Sequence, residues 1–151
     1  MIHVVNKGKT GEREVVDLLA TEIYYLIHQH QYDDETKAAL HGIVQRNQNQ
    51  SAVGGGDINI LGLSVEVKRC EVLEVDKWWR QCTTSAARNN DVPILMYRQN
   101  RKPWNVVMLG WLSLADSAQT QARVTLTLED FIKFFASWAA YKIARGDINR
   151  V

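Results

Sequence analysis

The sequence predicts a single α/β domain in which a central mixed sheet of five strands is flanked by helices. Apolar residues recur first at helical spacing and then, further along the chain, at the alternating spacing of strands. The 151 residues, 46% of them hydrophobic, contain no internal repeat or long linker and suffice for one domain with its own core. The predicted order is helix, three strands, helix, two strands, helix, which is typical of α/β or α+β domains.

The first third of the chain is predicted to hold two helices, a strand and a loop. The first helix runs from about Gly8 to Gln29, where the regularly spaced apolar residues are Val15, Val16, Leu19, Ile23, Leu26 and Ile27. Acidic and capping residues at 33–36 favour the start of a second helix, which stops near Gly42. Ile43–Arg46 is a candidate strand, and the polar segment Asn47–Gly56, with three terminal glycines, is predicted to be a mobile loop.

The remaining elements follow from alternation and helical spacing. Strands Asp57–Leu61 and Leu63–Arg69 flank a turn at Gly62. The elements after them are a helix from Val75 to about Asn90, strands Ile94–Arg98 and Trp104–Leu109, a further candidate strand Arg123–Thr127, and a helix Leu128–Arg145 with Thr127 as its N-cap. The apolar stripe of the last helix is broad, which indicates either a subunit interface or cover by a neighbouring loop.

The amount and placement of charge bear on whether the protein binds nucleic acid. The net charge of +1 lacks the strong positive excess that many nucleic-acid binders carry. Basic residues nevertheless cluster at Lys7, Lys9 and Arg13, at Lys68 and Arg69, and at Arg98, Arg101 and Lys102. Such clusters allow one basic face on a neutral protein, although evenly scattered charge is the alternative.

Two thiols and the lack of targeting signals predict a cytoplasmic protein. No segment has the apolar length of a secretion signal or a membrane span. Cys70 and Cys82 match neither a metal-binding pair nor a disulfide framework, which predicts reduced thiols. His28 and His30 lie on different faces of a helix, so they do not indicate a metal site.

The predicted hairpin at 57–68 separates polar from apolar side chains completely. With Leu61 and Gly62 as a two-residue turn, Asp57 pairs with Glu66, and paired residues share one face. The polar face then holds Asp57, Asn59, Ser64, Glu66 and Lys68, and the apolar face holds Ile58, Ile60, Leu63, Val65 and Val67.

This register brings two carboxylates to within about 5 Å, measured between Cβ atoms. Asp57 and Glu66 are not expected to stay ionised together at that distance unless a cation lies between them. Mg²⁺ suits two carboxylates plus water and substrate phosphate, and Lys68 on the same face can meet the charge that develops on a phosphate. The hairpin therefore predicts metal-assisted hydrolysis of a phosphodiester, whereas an ordinary solvated strand face is the alternative.

The order of motifs resembles the PD-(D/E)xK nuclease superfamily, and within it the archaeal-type Holliday-junction resolvases and their viral relatives. A lysine-glycine segment runs into a Glu-Arg-Glu helix at 12–14, Arg46 precedes a glycine-rich loop, and Gly-Asp57 is followed by Val-Glu66-Val-Lys68. The resemblance covers most of the chain from Lys7 to about Leu109, together with a helix near the C-terminus. The loop before Asp57 looks longer than in the archaeal proteins, and the pair Trp78-Trp79 is not typical of them.

The resemblance implies a restriction-endonuclease-like fold and a role for each matching residue. Asp57, Glu66 and the backbone carbonyl of Val67 would bind Mg²⁺, for which Mn²⁺ would substitute. Lys68 would be the catalytic lysine, and Glu12 would complete the acidic cluster. The candidate DNA-contacting residues, from the resemblance, the basic clusters and the polar loop at 47–56 together, are Lys7, Lys9, Arg13, Arg46, Ser51, Arg69 and Gln81.

The substrate that the resemblance implies is branched double-stranded DNA. These resolvases cut paired strands of a four-way junction as homodimers, and viral relatives would act in the host cytoplasm. One alternative is a restriction-like, nicking or replication-associated DNA nuclease of the same superfamily. A second alternative is a non-catalytic nucleic-acid-binding or assembly protein on the same fold.

Overall fold

A computed structural model describes residues 2–47 and 56–149 of the chain, in which helices cover both faces of one sheet. The elements, in chain order, are α1 (Ile2–Gln29), α2 (Asp34–Leu40), β1 (Ile58–Ile60), β2 (Leu63–Arg69), α3 (Val75–Arg88), β3 (Val92–Arg98), β4 (Asn105–Ser113), β5 (Gln119–Thr127) and α4 (Leu128–Ala144). Single 3₁₀ turns lie at Ala115–Ser117 and Asp147–Asn149.

The five strands form one mixed sheet in the order β1-β2-β3-β4-β5. Only β2 and β3 are parallel, and every other neighbouring pair is antiparallel. A parallel pair requires a crossover connection, which α3 provides here. The prediction of an α/β domain with a five-stranded mixed sheet, consistent with a restriction-endonuclease-like fold, is therefore confirmed.

The main hydrophobic core lies between the sheet and the helices α1 and α4. Alternate strand residues such as Val65 and Met96 point into it, together with Leu19 and Phe135, and all four are fully buried. The intervening residues point to the opposite face, where α3 covers Leu95 and Val107 in a second, smaller core. The polar face of the β1–β2 hairpin therefore lies on the α3 side of the sheet.

Helix α1 begins at Ile2, earlier than the predicted start at Gly8. Its buried stripe was predicted correctly, since Val15, Leu19, Ile23 and Leu26 are at most 5% exposed. Gly11 lies against β2, where an added Cβ would be 3.2 Å from the Cβ of Arg69. The absence of a side chain at this position lets the helix axis approach the sheet closely.

One predicted strand was wrong, and two others are longer than predicted. Ile43–Arg46 is not a strand, because β1 is only three residues long and this segment meets it at a single bridge between Arg46 and Ile58. In contrast, β4 and β5 extend beyond their predicted ends and pair from Asn105–Thr127 out to Ser113–Gln119. The extra residues form a hairpin arm, defined here as 111–121. Every residue of the arm is exposed, so its strands need no alternation of apolar and polar residues.

The broad apolar stripe of α4 packs mainly within the chain. Phe131, Phe135, Ala139 and Ile143 are buried in the main core, while Tyr141 on the opposite side is 56% exposed. The N-cap at Thr127 is confirmed, since its side chain accepts a hydrogen bond from the Asp130 backbone N–H. None of the helices within the described part of the chain combines the length and apolar character that a bilayer span requires.

Candidate active site

The β1–β2 hairpin has the predicted register. Ile60 pairs with Leu63, Asn59 with Ser64, and Ile58 with Val65. Leu61 and Gly62 both have positive φ, at 51° and 84°, as a type I′ turn requires. The indole N–H of Trp138 donates to the Leu61 carbonyl at 3.0 Å, which fixes this turn to α4.

Asp57 lies directly before β1, and its carboxylate turns back onto β2. Its Oδ2 accepts a hydrogen bond from the backbone N–H of Val67 at 2.7 Å. Its backbone carbonyl accepts from the Asn47 N–H at 2.6 Å. These two hydrogen bonds hold Asp57 beside Val67, the neighbour of Glu66 on β2.

Glu66 is a buried acid on the face covered by α3. Its side chain is 4% exposed, and Ser64 beside it is fully buried. Burial raises the pKa of the Glu66 carboxyl to about 7, and the neighbouring charge of Asp57 and a hydrogen bond between the two carboxyl groups act in the same direction. The polar face of the hairpin is therefore not an ordinary solvated surface.

Lys68 lies on the same face of β2 as Glu66 and partly offsets the rise in the pKa of Glu66. Its positive charge lowers the pKa of Glu66, which places the ammonium group within electrostatic reach of the acid pair. The strand register sets Lys68 opposite Tyr97 of β3, which packs against the smaller core. An acid pair and a lysine thus share one partly enclosed surface.

Gly56 permits the close approach of the chain to β2 just before Asp57. An added Cβ at Gly56 would lie 2.7 Å from the Val65 carbonyl oxygen and 2.9 Å from the Ser64 hydroxyl. The Gly56 N–H donates to Asn59 Oδ1 at 3.2 Å, and the side chain of Asn47 donates to the Gly56 carbonyl at 3.1 Å. These contacts determine where Asp57 enters the site.

Glu12 on α1 forms an ion pair with Arg46. The distance from Arg46 Nε to Glu12 Oε2 is 2.6 Å, and both side chains are about three-quarters buried or more, with 25% and 20% exposure. Among the side chains that the structure describes, no three from His, Cys, Asp or Glu converge closely enough to hold a metal ion. Glu12 therefore lies in a pair with Arg46 and not in a three-acid cluster with Asp57 and Glu66.

A family model described as "Phage putative PDDEXK endonuclease" matches residues 3–142 of the chain, from the first turn of α1 to the last turn of α4. The chain belongs to this family. No curated protein and no solved structure matches it. The chain is thus a nuclease of the PD-(D/E)xK superfamily, and Asp57, Glu66 and Lys68 fit the signature, with Gly56 in place of its proline.

The candidate DNA-contacting residues of the chain lie in different surroundings. Lys9 and Arg13 are exposed, four residues apart on α1, and Gln81 is exposed on α3. Arg69 lies on the α1 side of the sheet, where its Nη1 donates to Glu14 Oε1 at 3.0 Å. Lys7 belongs to α1, but its side chain is not among those described, and Ser51 lies outside the described residues.

Two residues of α3 contribute to the site without having been predicted there. Ser85 forms a side-chain hydrogen bond with Glu66 and lowers its pKa. Cys82 is fully buried beside Glu66, and burial followed by the charge of Glu66 raises the pKa of its thiol to about 12. The helical spacing of Trp78, Cys82 and Ala86 predicted one apolar face of α3, but it did not indicate that Ser85 and Cys82 would contact Glu66.

Proposed function

We propose that this chain is a Mg²⁺-dependent, structure-selective DNA endonuclease that resolves four-way junctions by phosphodiester hydrolysis. The single observation that carries the proposal is the pair of carboxyl groups on Asp57 and Glu66, which share a hydrogen bond and lie beside Lys68. Two buried carboxylates this close repel each other when both are charged, and a divalent cation between them relieves the repulsion. The cytoplasm is the proposed location, as the host's cytoplasm if the chain comes from a virus.

The donor set fits a magnesium ion. Mg²⁺ takes oxygen ligands and keeps several waters, so two carboxylates suffice from the protein. The backbone N–H and C=O of one strand residue point to the same side of the strand. Because the Val67 N–H points to Asp57, the Val67 carbonyl is directed to the same edge and is a third oxygen ligand in this proposal. A bound Mg²⁺, or Mn²⁺ in its place, would supply Lewis-acid activation of the scissile phosphate.

The chain's own cations would orient and stabilise the phosphate. Lys68 would stabilise negative charge on the phosphate oxygens as the P–O bond to the leaving group breaks and a bond to water oxygen forms. Arg46 uses Nε to bind Glu12, and its guanidinium has further N–H donors that would contact a neighbouring phosphate. In this arrangement Glu12 orients Arg46, and Lys9 and Arg13 on α1 bind the DNA backbone further away.

A homodimer is part of the proposal because one chain holds one such site. Resolution of a four-way junction cuts two strands, so two chains must act on one junction. The proposal predicts that light scattering or sedimentation of the junction complex gives, after the mass of the DNA is subtracted, a protein mass of about twice the 17.2 kDa chain. A complex that contains one chain per junction would contradict it.

The catalytic proposal is tested with a four-way junction, a linear duplex and a single strand of matched sequence. Wild-type protein should cut the junction with Mg²⁺ or Mn²⁺ and not with chelator. Asp57→Asn should lower the cleavage rate roughly a hundredfold or more while junction binding persists, since only the ion-binding charge is lost. Glu129→Gln, which changes an acid of α4 with 82% side-chain exposure, is the matched control and should cleave normally.

The same assay separates the alternatives. Preferential cleavage of the duplex would identify a restriction-like or nicking enzyme of the superfamily and contradict junction resolution. Junction binding without cleavage by the wild-type protein in either metal would contradict catalysis and identify a binding protein on this fold.

A further inference from the structure

Two segments meet just beyond the C-terminal ends of β2, which carries Glu66 and Lys68, and of its neighbour β3. One is the β2–α3 loop at 71–74, and the other is the β3–β4 turn at 99–103. We call the two together the strand-end surface. Val72 is four residues from Lys68, so their Cα atoms are at most about 14 Å apart. The surface is therefore within reach of any DNA that occupies the acid pair.

Hydrogen bonds join the two segments. The side chain of Gln99 donates to the Glu71 carbonyl at 2.8 Å, and the Asn100 backbone N–H donates to Glu71 Oε1 at 2.8 Å. The Cys70 N–H donates to the Arg98 carbonyl at 3.2 Å, which extends the pairing of the strands into the surface. The loop and the turn thus form one braced unit.

The turn presents two cations to solvent. Arg101 and Lys102 are exposed, and neither takes part in an ion pair within the described part of the chain. The acids nearby are directed elsewhere, since Glu71 caps Asn100 and Glu74 lies 3.7 Å from Lys77. A pair of cations in this position favours the binding of a phosphate backbone.

The loop presents two apolar side chains beside those cations. Val72 is 75% exposed and Leu73 is 45% exposed, and neither belongs to either hydrophobic core. Proteins that insert apolar side chains between bases use residues of this kind, flanked by cations that bind the phosphates. A branch point offers exposed base faces that a continuous duplex does not.

We propose that the strand-end surface recognises the branch point of DNA and so determines substrate specificity. Arg101 and Lys102 bind phosphates of the strands that leave the junction. Val72 and Leu73 contact base faces exposed where stacking is interrupted. The proposal rests on the proposed nuclease function and adds the residues that discriminate branched from linear DNA.

The test measures the Kd for a four-way junction and for a linear duplex, with chelator present so that no cleavage occurs. Val72→Ser with Leu73→Ser should weaken junction binding at least about fivefold and leave duplex binding unchanged. Arg101→Gln with Lys102→Gln should weaken both and lower the slope of log K against log salt by roughly 2. The matched controls are Leu112→Ser with Leu114→Ser, which are exposed apolar residues of the hairpin arm, and Arg88→Gln with Lys133→Gln.

The outcomes distinguish this inference from the nuclease proposal. Equal junction affinity in the Val72/Leu73 variant and the Leu112/Leu114 control overturns the inference, even where the wild-type protein cleaves junctions. A selective loss of junction binding supports the inference, even where the wild-type protein shows no cleavage. A wild-type protein that does not prefer junction to duplex overturns it as well.

Discussion

Glu66 combines burial with a like-charged neighbour, and these two properties determine how it titrates. The residue is 4% exposed, and its carboxyl shares a hydrogen bond with Asp57 and has a pKa raised from 4.5 to about 7. Perturbed acids of this kind cluster at functional sites, although structural acid pairs show the same shift. The pairing was predictable from the alternation of the hairpin, whereas the burial was not, because it depends on α3.

The raised pKa of Glu66 makes the metal-free protein less stable as the pH rises. Between pH 4.5 and about 7 the folded state binds more protons than the unfolded chain, so the free energy of unfolding falls across this window. The loss is on the order of 3 kcal/mol. Urea unfolding with chelator at pH 5 and pH 8 measures it.

Two variants show whether Glu66 is responsible. Glu66→Gln should remove this part of the pH dependence and be more stable than wild type at pH 8, because an amide carries no charge to bury. Glu74→Gln should retain the wild-type pH dependence, since that side chain is exposed. A wild-type profile in the Glu66 variant would contradict the assignment.

Cys82 should resist thiol reagents in the native protein. Its side chain is fully buried and the pKa of its thiol is raised to about 12, so almost no thiolate exists at pH 8. Alkylation followed by mass spectrometry should find Cys82 unmodified until denaturant is added. Modification of native Cys82 as fast as in the unfolded protein would mean that α3 does not cover the site.

The β1–β2 hairpin is the element that could be derived furthest from sequence. A two-residue turn together with strict alternation determines the register, and a one-residue shift would place Val65 and Val67 on the polar face. The tight approach of Gly56 to β2 could not be derived, because it depends on backbone atoms of Val65 that are distant in sequence. The hairpin arm of β4 and β5 was also missed, since exposed residues show no burial pattern.

Gly56→Ala should destabilise the protein and displace Asp57. The added methyl would meet the Val65 carbonyl oxygen at 2.7 Å, so the backbone must shift at a cost of about 1–3 kcal/mol. Gly8→Ala in α1 is the matched control, because an added Cβ there has no neighbour within 4 Å and should stabilise the helix by about 0.5–1 kcal/mol. Urea unfolding of both variants measures the difference, and equal stability of the two would contradict the close approach.

At the scale of the whole molecule, the sheet separates a large core from a small one. The large core joins α1, α4 and one sheet face, and the small core joins α3 to the face that holds Glu66. The sequence predicted both helices that bound the large core, since their apolar residues recur regularly. It did not reveal which helix would lie over the hairpin, because helical periodicity does not specify which face of the sheet a helix covers.

Phe135→Ala should lower the stability of the whole domain. Phe135 is fully buried in the large core, and removing its ring leaves a cavity that costs about 3–5 kcal/mol. Tyr141→Ala on the same helix should change stability by less than about 0.5 kcal/mol, since Tyr141 is 56% exposed. Thermal unfolding followed by circular dichroism compares the two, and similar melting temperatures would contradict this assignment of the core.

The sheet order also has a practical consequence. The β1–β2 hairpin occupies one edge of the sheet, whereas β5 forms the other, and the arm formed with β4 projects from it with every residue from 111 to 121 exposed. Exposed loop tips are the sites that best accept insertions. A fluorophore or affinity peptide introduced at Ala115–Ser117 would therefore leave the edge that holds the candidate active site clear, which gives an attachment point for immobilising the protein in assays of DNA binding and cleavage.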